Sequence, residues 1–391
     1  MITVIRNGEV HAPRYLGRKD ILVGGGKILG VADSCSFPKD VDFLETIDAE
    51  GKLVVPGFID SHVHICGGGG EGGFKTRTPE IGLTDMTCAG VTTVVGCLGT
   101  DGIARSMKSL VAKARALEEE GVTAFIYTGS YQVPVRTICG SIEDDLILID
   151  KVIGVGEIAM SDHRSSQPTV SEIAKIAAAA RVGGLLAGKA GIVNIHLGDG
   201  KRMLSFLEEI AATTEIPLSQ FVPTHIGRNP ELFRSGIEYA RRGGYVDFTT
   251  STTKEFLDEG EIKCSRALGT ILAEGVPPDR ITFSSDGQGS LPLFGPDGKL
   301  RGLTVGTCAS LFPEVRDAVV QEGVDLSTAL RVITSNPAEI LKLRGKGCIK
   351  AGNDADLVLL RKDDLAIDTV MANGRVMVRD GKAVVHGTFI S

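Results

Sequence analysis

The sequence predicts an α/β protein: a (β/α)8 TIM barrel carrying a small β-sandwich built from its N- and C-terminal segments. Three observations predict it. Eight apolar stretches start near Gly57, Thr92, Thr123, Val152, Gly191, Phe221, Tyr245 and Ile281, at intervals of 24–39 residues, close to the length of a βα unit. Helix-like stretches at residues 103–120, 171–181, 201–212 and 231–241 fill gaps between them. Polar residues able to do chemistry gather at the C-terminal ends of the strands, the face where barrels of this kind carry function. A doubly wound sheet is the runner-up, but eight regular units favour closure.

Taken in order, residues 1–55 read as short strands punctuated by Asn7-Gly8, Gly24-Gly25-Gly26 and Glu50-Gly51. The last segment reads the same way, with Asn373-Gly374 and Asp380-Gly381 as hairpin turns. Neither end has enough strands to be stable alone, so the two are expected to pair. The expected division is therefore 1–55 with 345–391 as the sandwich, and 56–344 as the barrel.

Composition narrows the function. The 391 residues carry a net charge of −7, which argues against a nucleic-acid partner. No run approaches the ~18 apolar residues of a membrane span. Residues 1–8 lack a charged-then-apolar leader pattern. The eight cysteines are scattered without CxxC pairs, which suggests reduced thiols in a cytoplasmic protein. Cys66, two residues after a histidine motif, reads as structural.

That motif is Gly57-Phe58-Ile59-Asp60-Ser61-His62-Val63-His64. Alternate residues of a strand face the same side, so His62 and His64 can point together at one metal ion. His196 ends the fifth strand, His225 the sixth, and Asp286 the eighth. A single histidine at a strand end is most often structural; four histidines and an aspartate on one barrel face are a ligand set. Imidazole and carboxylate suit Zn2+, and two such ions ~3.5–4 Å apart need a bridging anion.

The arrangement resembles the amidohydrolase superfamily, and more closely its isoaspartyl (β-aspartyl) dipeptidases. Beyond the His62–His64 motif, the resemblance rests on Gly67-Gly68-Gly69-Gly70-Glu71, Gly99-Thr100-Asp101, Gly129-Ser130-Tyr131, Ser161-Asp162-His163-Arg164, Pro223-Thr224-His225-Ile226-Gly227-Arg228-Asn229 and Ser284-Ser285-Asp286-Gly287-Gln288-Gly289-Ser290. It implies a binuclear hydrolase of isoaspartyl dipeptides and a homo-oligomer, often an octamer. The family's bridging lysine carbamate has no counterpart here, since no lysine lies between Lys151 and Lys175. Glu157 stands at the required place and offers the same charge with two oxygens. It is shorter, so the fourth strand must approach the metals, which Gly154 and Gly156 permit. The competing reading pairs Glu157 with an arginine and leaves one metal.

The resemblance also implies roles around the substrate. Glu71 would hold the free α-amino group, Arg164 and Arg228 would grip the carboxylates bidentately, and Thr100 and Ser290 would add hydrogen bonds. Asp286 would move the proton, and Tyr131 would donate to the oxyanion. His163, His11 and His386 read as uninvolved. Two other readings compete: a cyclic amidase or N-acyl amino-acid deacylase on the same metals, and a non-catalytic scaffold. The free-amine acceptor argues against the first, and the complete ligand set argues against the second.

Overall fold

The computed structural model describes residues 2–36, 43–294 and 300–389, so parts of the two terminal segments lie outside the described residues. Five strands open the chain: β1 (Ile2–His11), β2 (Tyr15–Gly24), β3 (Lys27–Ala32), β4 (Leu44–Asp48) and β5 (Lys52–Pro56). Eight parallel strands follow: β6 (Phe58–Val63), β7 (Val91–Gly96), β8 (Thr123–Thr128), β9 (Val152–Met160), β10 (Ile192–Leu197), β11 (Phe221–Thr224), β12 (Val246–Thr249) and β13 (Ile281–Ser284). Each begins within one residue of the start read from the sequence. The hairpin β14 (Ser290–Phe294) and β15 (Leu300–Val305) comes next, and β16 (Leu357–Arg361), β17 (Ile367–Ala372), β18 (Arg375–Arg379) and β19 (Lys382–Ala383) close the chain.

Strands β6 to β11 form one curled parallel sheet in sequence order, and β12 pairs with β13. Single hydrogen bonds knit these pieces into a TIM-barrel-like ring. Ile226 N–H donates to Asp247 O on one side (3.2 Å), and His64 N–H donates to Gly287 O on the other (2.8 Å). The helices outside it carry ordinary stop and start signals. Ser106 caps the helix Met107–Glu120 through its side chain, and Gly121 ends it at φ 116°. Met107, Leu110, Ala114 and Leu117 are its buried residues, an i, i+3, i+7, i+10 stripe turned to the barrel.

The two chain ends share one hydrogen-bonded sheet, ordered β19-β18-β17-β16-β5-β1-β2-β3, with β4 beside β1. The join is antiparallel, from Leu357 opposite Pro56 to Arg361 opposite Lys52. Strand alternation divides its side chains between two cores. Val54, Leu357 and Leu359 pack with Ile5, Ile21 and Ile28 on one face, while Leu53, Val55, Val358 and Leu360 join the barrel's helix-side core on the other.

Strand β9 departs from regular pairing. Val155 lies opposite Val193 and Ile158 opposite Ile195, so Gly156 and Glu157 together face the single residue Asn194. That is a β-bulge, which re-aims the side chain it carries. A Cβ on Gly156 would sit 2.9 Å from Asn194, so glycine lets the bulge lie against β10.

Candidate active site

Strand ends converge on Glu157, whose residue is fully buried. His62 lies in β6 and His64 just past it. His196 lies in β10, His225 directly follows β11, and Asp286 follows β13 by two residues. Glu157 turns one oxygen to each pair of histidines. Its Oε2 is 3.3 Å from His62 Nε2 and 3.7 Å from His64 Nε2. Its Oε1 is 2.8 Å from His196 Nδ1 and 3.4 Å from His225 Nε2. Asp286 Oδ1 completes the first side, 2.9 Å from His64 Nε2 and 3.5 Å from His62 Nε2.

These residues fit a metal centre. His62 Nδ1 and Nε2, Glu157 Oε2 and Asp286 Oδ1 are buried without a hydrogen-bond partner among the described residues. Buried polar atoms are rarely left so, and donor atoms that converge in this way match a cation's demand. Two groups of closely spaced ligand atoms emerge, one of His62, His64, Cys97 and Glu157, the other of Glu157, His196 and His225. Glu157 belongs to both. Burial would push its carboxyl up, but His62, His196 and His225 outweigh that and hold it well below the usual carboxylate range. Asp286 is held low against burial in the same way, chiefly by His64.

Neighbours orient the ligands. His225 and Asp286 both take the left-handed backbone, at φ 64° and 53°, a conformation costing non-glycine residues about 1–3 kcal/mol each. Thr249 Oγ1 lies 2.6 Å from His225 Nδ1. Asp60 accepts from both Ser285 N–H (3.0 Å) and Ser285 Oγ (2.5 Å), pinning the turn that carries Asp286. Gly99 leaves room for the His64 ring, which a Cβ there would meet at 2.7 Å. Asp162 Oδ2 lies 3.0 Å from His196 Nε2, on the ring edge away from Glu157 Oε1, a usual way to fix a metal-binding imidazole.

Beyond the ligands stands a polar rim. Glu71 receives hydrogen bonds from Thr100 Oγ1 (3.0 Å), Ser290 Oγ (3.0 Å) and Arg164 Nη1 (3.3 Å). Arg164 Nη2 is also 3.2 Å from His196 Nε2, so this one side chain reaches from Glu71 to the ligand set. The Nε–Nη2 edge of Arg164 is already taken by Asp162, at 3.0 and 2.8 Å, so it is not free for a bidentate substrate contact. Thr100 and Ser290 likewise spend their donors on Glu71. Arg228 differs: its Nε is buried without a hydrogen-bond partner among the described residues, and Asp199 lies 3.9 Å away. Tyr131 Oη lies 2.8 Å from His196 Nδ1. Burial and Glu157 push its phenol well above the usual value, so it stays a donor. His163 is exposed and outside the ligand set.

Three residues escaped the sequence reading. Cys97 lies among the ligand atoms; its signal was its place directly after a strand, like that of His225. Asp162 was visible only as part of a motif. Glu261, pushed up to about 7 by burial despite Arg228, carried no signal.

Comparison with known proteins agrees with this geometry. Residues 53–377 match the amidohydrolase family model. A β-aspartyl dipeptidase from Fervidobacterium islandicum AW-1, solved in complex with β-Asp-Leu dipeptide, is 48% identical, with 98% of both chains covered and a TM-score of 0.91. A second structure of the β-aspartyl dipeptidase from that organism is 46% identical over 98% of both chains, with a TM-score of 0.89. The chain belongs to the amidohydrolase family, in its β-aspartyl dipeptidase branch. A dihydroorotase from Listeria monocytogenes is 31% identical over 163 residues, 41% of this chain and 34% of the relative, so the match spans about a third of that protein's length.

Proposed function

We propose that this amidohydrolase is a metal-dependent hydrolase of the isopeptide bond in β-aspartyl dipeptides. The observation that carries the reading is Glu71, a carboxylate held by Thr100, Ser290 and Arg164 at the edge of the ligand set. It suits a substrate with a free amine, and a chain 48% identical has been solved with β-Asp-Leu.

His62, His64, His196, His225, Glu157 and Asp286 would hold two divalent ions, with Glu157 between them. Bound there, such ions would supply Lewis-acid chemistry, polarising the scissile carbonyl and lowering the pKa of the attacking water. Asp286, ionised at neutral pH, takes the proton from that water and returns it to the leaving amine. Tyr131 donates to the developing oxyanion. Glu71 accepts from the substrate ammonium. Arg228, with its unpartnered Nε, binds a substrate carboxylate. Arg164 contributes through Nη1 alone, while Asp162 fixes the rest of it.

Finer points belong to the same reading. Zinc suits the imidazole–carboxylate set. Eight free cysteines suit a reducing cytoplasm, and among the described residues no helix is long and apolar enough to cross a membrane. Ile147, Leu148, Val182, Leu185 and Leu186 are exposed apolar side chains on two helices that pack together, which supports a homo-oligomer. The division into 56–344 and a sandwich of 1–55 with 345–391 is supported by the shared terminal sheet and its separate core. The test is hydrolysis of β-Asp-Leu against α-Asp-Leu, N-acetylated β-Asp-Leu and a hydantoin. Selective cleavage of the first is expected; preference for the hydantoin would replace this reading with a cyclic amidase.

A further inference from the structure

We propose that the Cys97 thiolate is a protein ligand to the metal ion on the His62–His64 side of Glu157. The inference rests on the metal centre proposed above but not on its substrate. Cys97 is the first residue after β7, on the strand-end face that also carries His64 and His225. It is fully buried. Its Sγ and the ligand atoms of His62, His64 and Glu157 all lie within 4.8 Å of one another. The hydrogen-bonding contacts it makes otherwise are long: 3.8 Å to His64 Nδ1 and 3.6 Å to Val63 O.

A buried cysteine is ordinarily a small apolar filler, and Cys97 does touch such a core through Ile59, Val95 and Tyr127. Packing alone would not set the sulfur among buried polar atoms that lack partners. Both ring nitrogens of His62 and Oε2 of Glu157 are in that state, and all belong to residues of the group around Cys97. His196 and His225, by contrast, form the other group, which contains no sulfur. The two sides of Glu157 are therefore chemically different: one has sulfur, nitrogen and oxygen donors, the other nitrogen and oxygen alone.

Coordination by Cys97 replaces the S–H bond with a sulfur–metal bond and releases one proton to solvent. It adds a third anion to Glu157 and Asp286. A thiolate also biases its side toward zinc, cobalt or cadmium over magnesium or manganese.

The test strips the protein with a chelator, reloads it with Co2+, and records the near-ultraviolet thiolate-to-cobalt charge-transfer band. The parent is compared with Cys97→Ser, Cys97→Ala and, as a control, Cys88→Ser, which alters an exposed cysteine. The band is expected in the parent and Cys88→Ser and should vanish in both Cys97 variants. Those variants should also surrender one cobalt at a chelator concentration ~10-fold lower or more, while keeping the other. A parent-only measurement covers variants that fail to fold: cobalt X-ray absorption should show a sulfur neighbour. A parent with two cobalt ions and no sulfur signature, or a Cys97→Ala protein spectrally identical to the parent, overturns the assignment. A parent that takes up no cobalt overturns the metal centre as well. Hydrolysis of β-Asp-Leu by the same samples reports separately on the substrate reading.

Discussion

The metal centre and the rim around it are built on different principles. Ligands of the centre stand at the ends of parallel strands, in a ring whose backbone positions are set by barrel closure. The rim is made of loop residues that hold one another: Asp162 holds Arg164, and Arg164, Thr100 and Ser290 hold Glu71. Carboxylates differ across the site. Glu157 and Asp286 are held below the usual range by histidines despite burial, whereas Glu261, beside Arg228, is pushed up to about 7. A change in the centre should therefore remove metal, and a change in the rim should alter recognition with metal retained.

The largest expected effect comes from the bridge. Glu157→Gln keeps the shape and removes the charge proposed to be shared by two ions. It should hold at most one metal and lose activity well beyond the ~10–100-fold typical of an outer partner. Metal analysis beside turnover checks this, and two firmly held metals would break the contrast at its centre. Arg228→Met comes next. Loss of a charge-assisted contact should lower kcat/KM for β-Asp-Leu on the order of 10²-fold with metal content unchanged; activity within threefold of the parent would remove Arg228 from the site.

Asp162→Asn tests the joint between the two regions, since Asp162 touches both His196 and Arg164. Metal affinity and kcat/KM should fall together by ~10–100-fold; a rise in KM alone would assign Asp162 to the rim only. Glu71→Gln should be selective, hitting substrates with a free amine and sparing N-acetylated analogues, while equal losses would make Glu71 a loop-shaping residue. The smallest effect concerns Glu261. Its folded pKa of about 7 lies above its ordinary 4.5, so the unfolded chain gives up that proton first and stability falls as pH rises through this window. Glu261→Gln should flatten that part of a denaturation-against-pH curve; an unchanged slope would show that Glu261 ionises as an ordinary surface carboxylate.

Barrel strands were legible because burial on both faces demands apolar runs, and βα units repeat them at a steady spacing. His62, His64, His196, His225, Asp286 and Glu157 were legible as residues of ligand type at the ends of those runs. Residues 290–294 and 300–305 were not read as strands, and the structure makes them the antiparallel pair β14 and β15, whose Ser290 reaches Glu71.

The order of strands, the face on which function lies, and the absence of a lysine where a carbamate would form can all be read along the chain. Period and spacing are local properties, and local properties are written along the chain. Which atoms meet depends on the folded backbone. The bulge at Gly156–Glu157 aims one carboxylate oxygen at each pair of histidines. Asp162 occupies the arginine edge that the sequence had left free for substrate. Cys97 stands out from seven other cysteines only because parallel pairing sets the end of β7 beside that of β6. The first and last of these depend on the register between neighbouring strands, and a shift of one residue would turn the side chain to the opposite face.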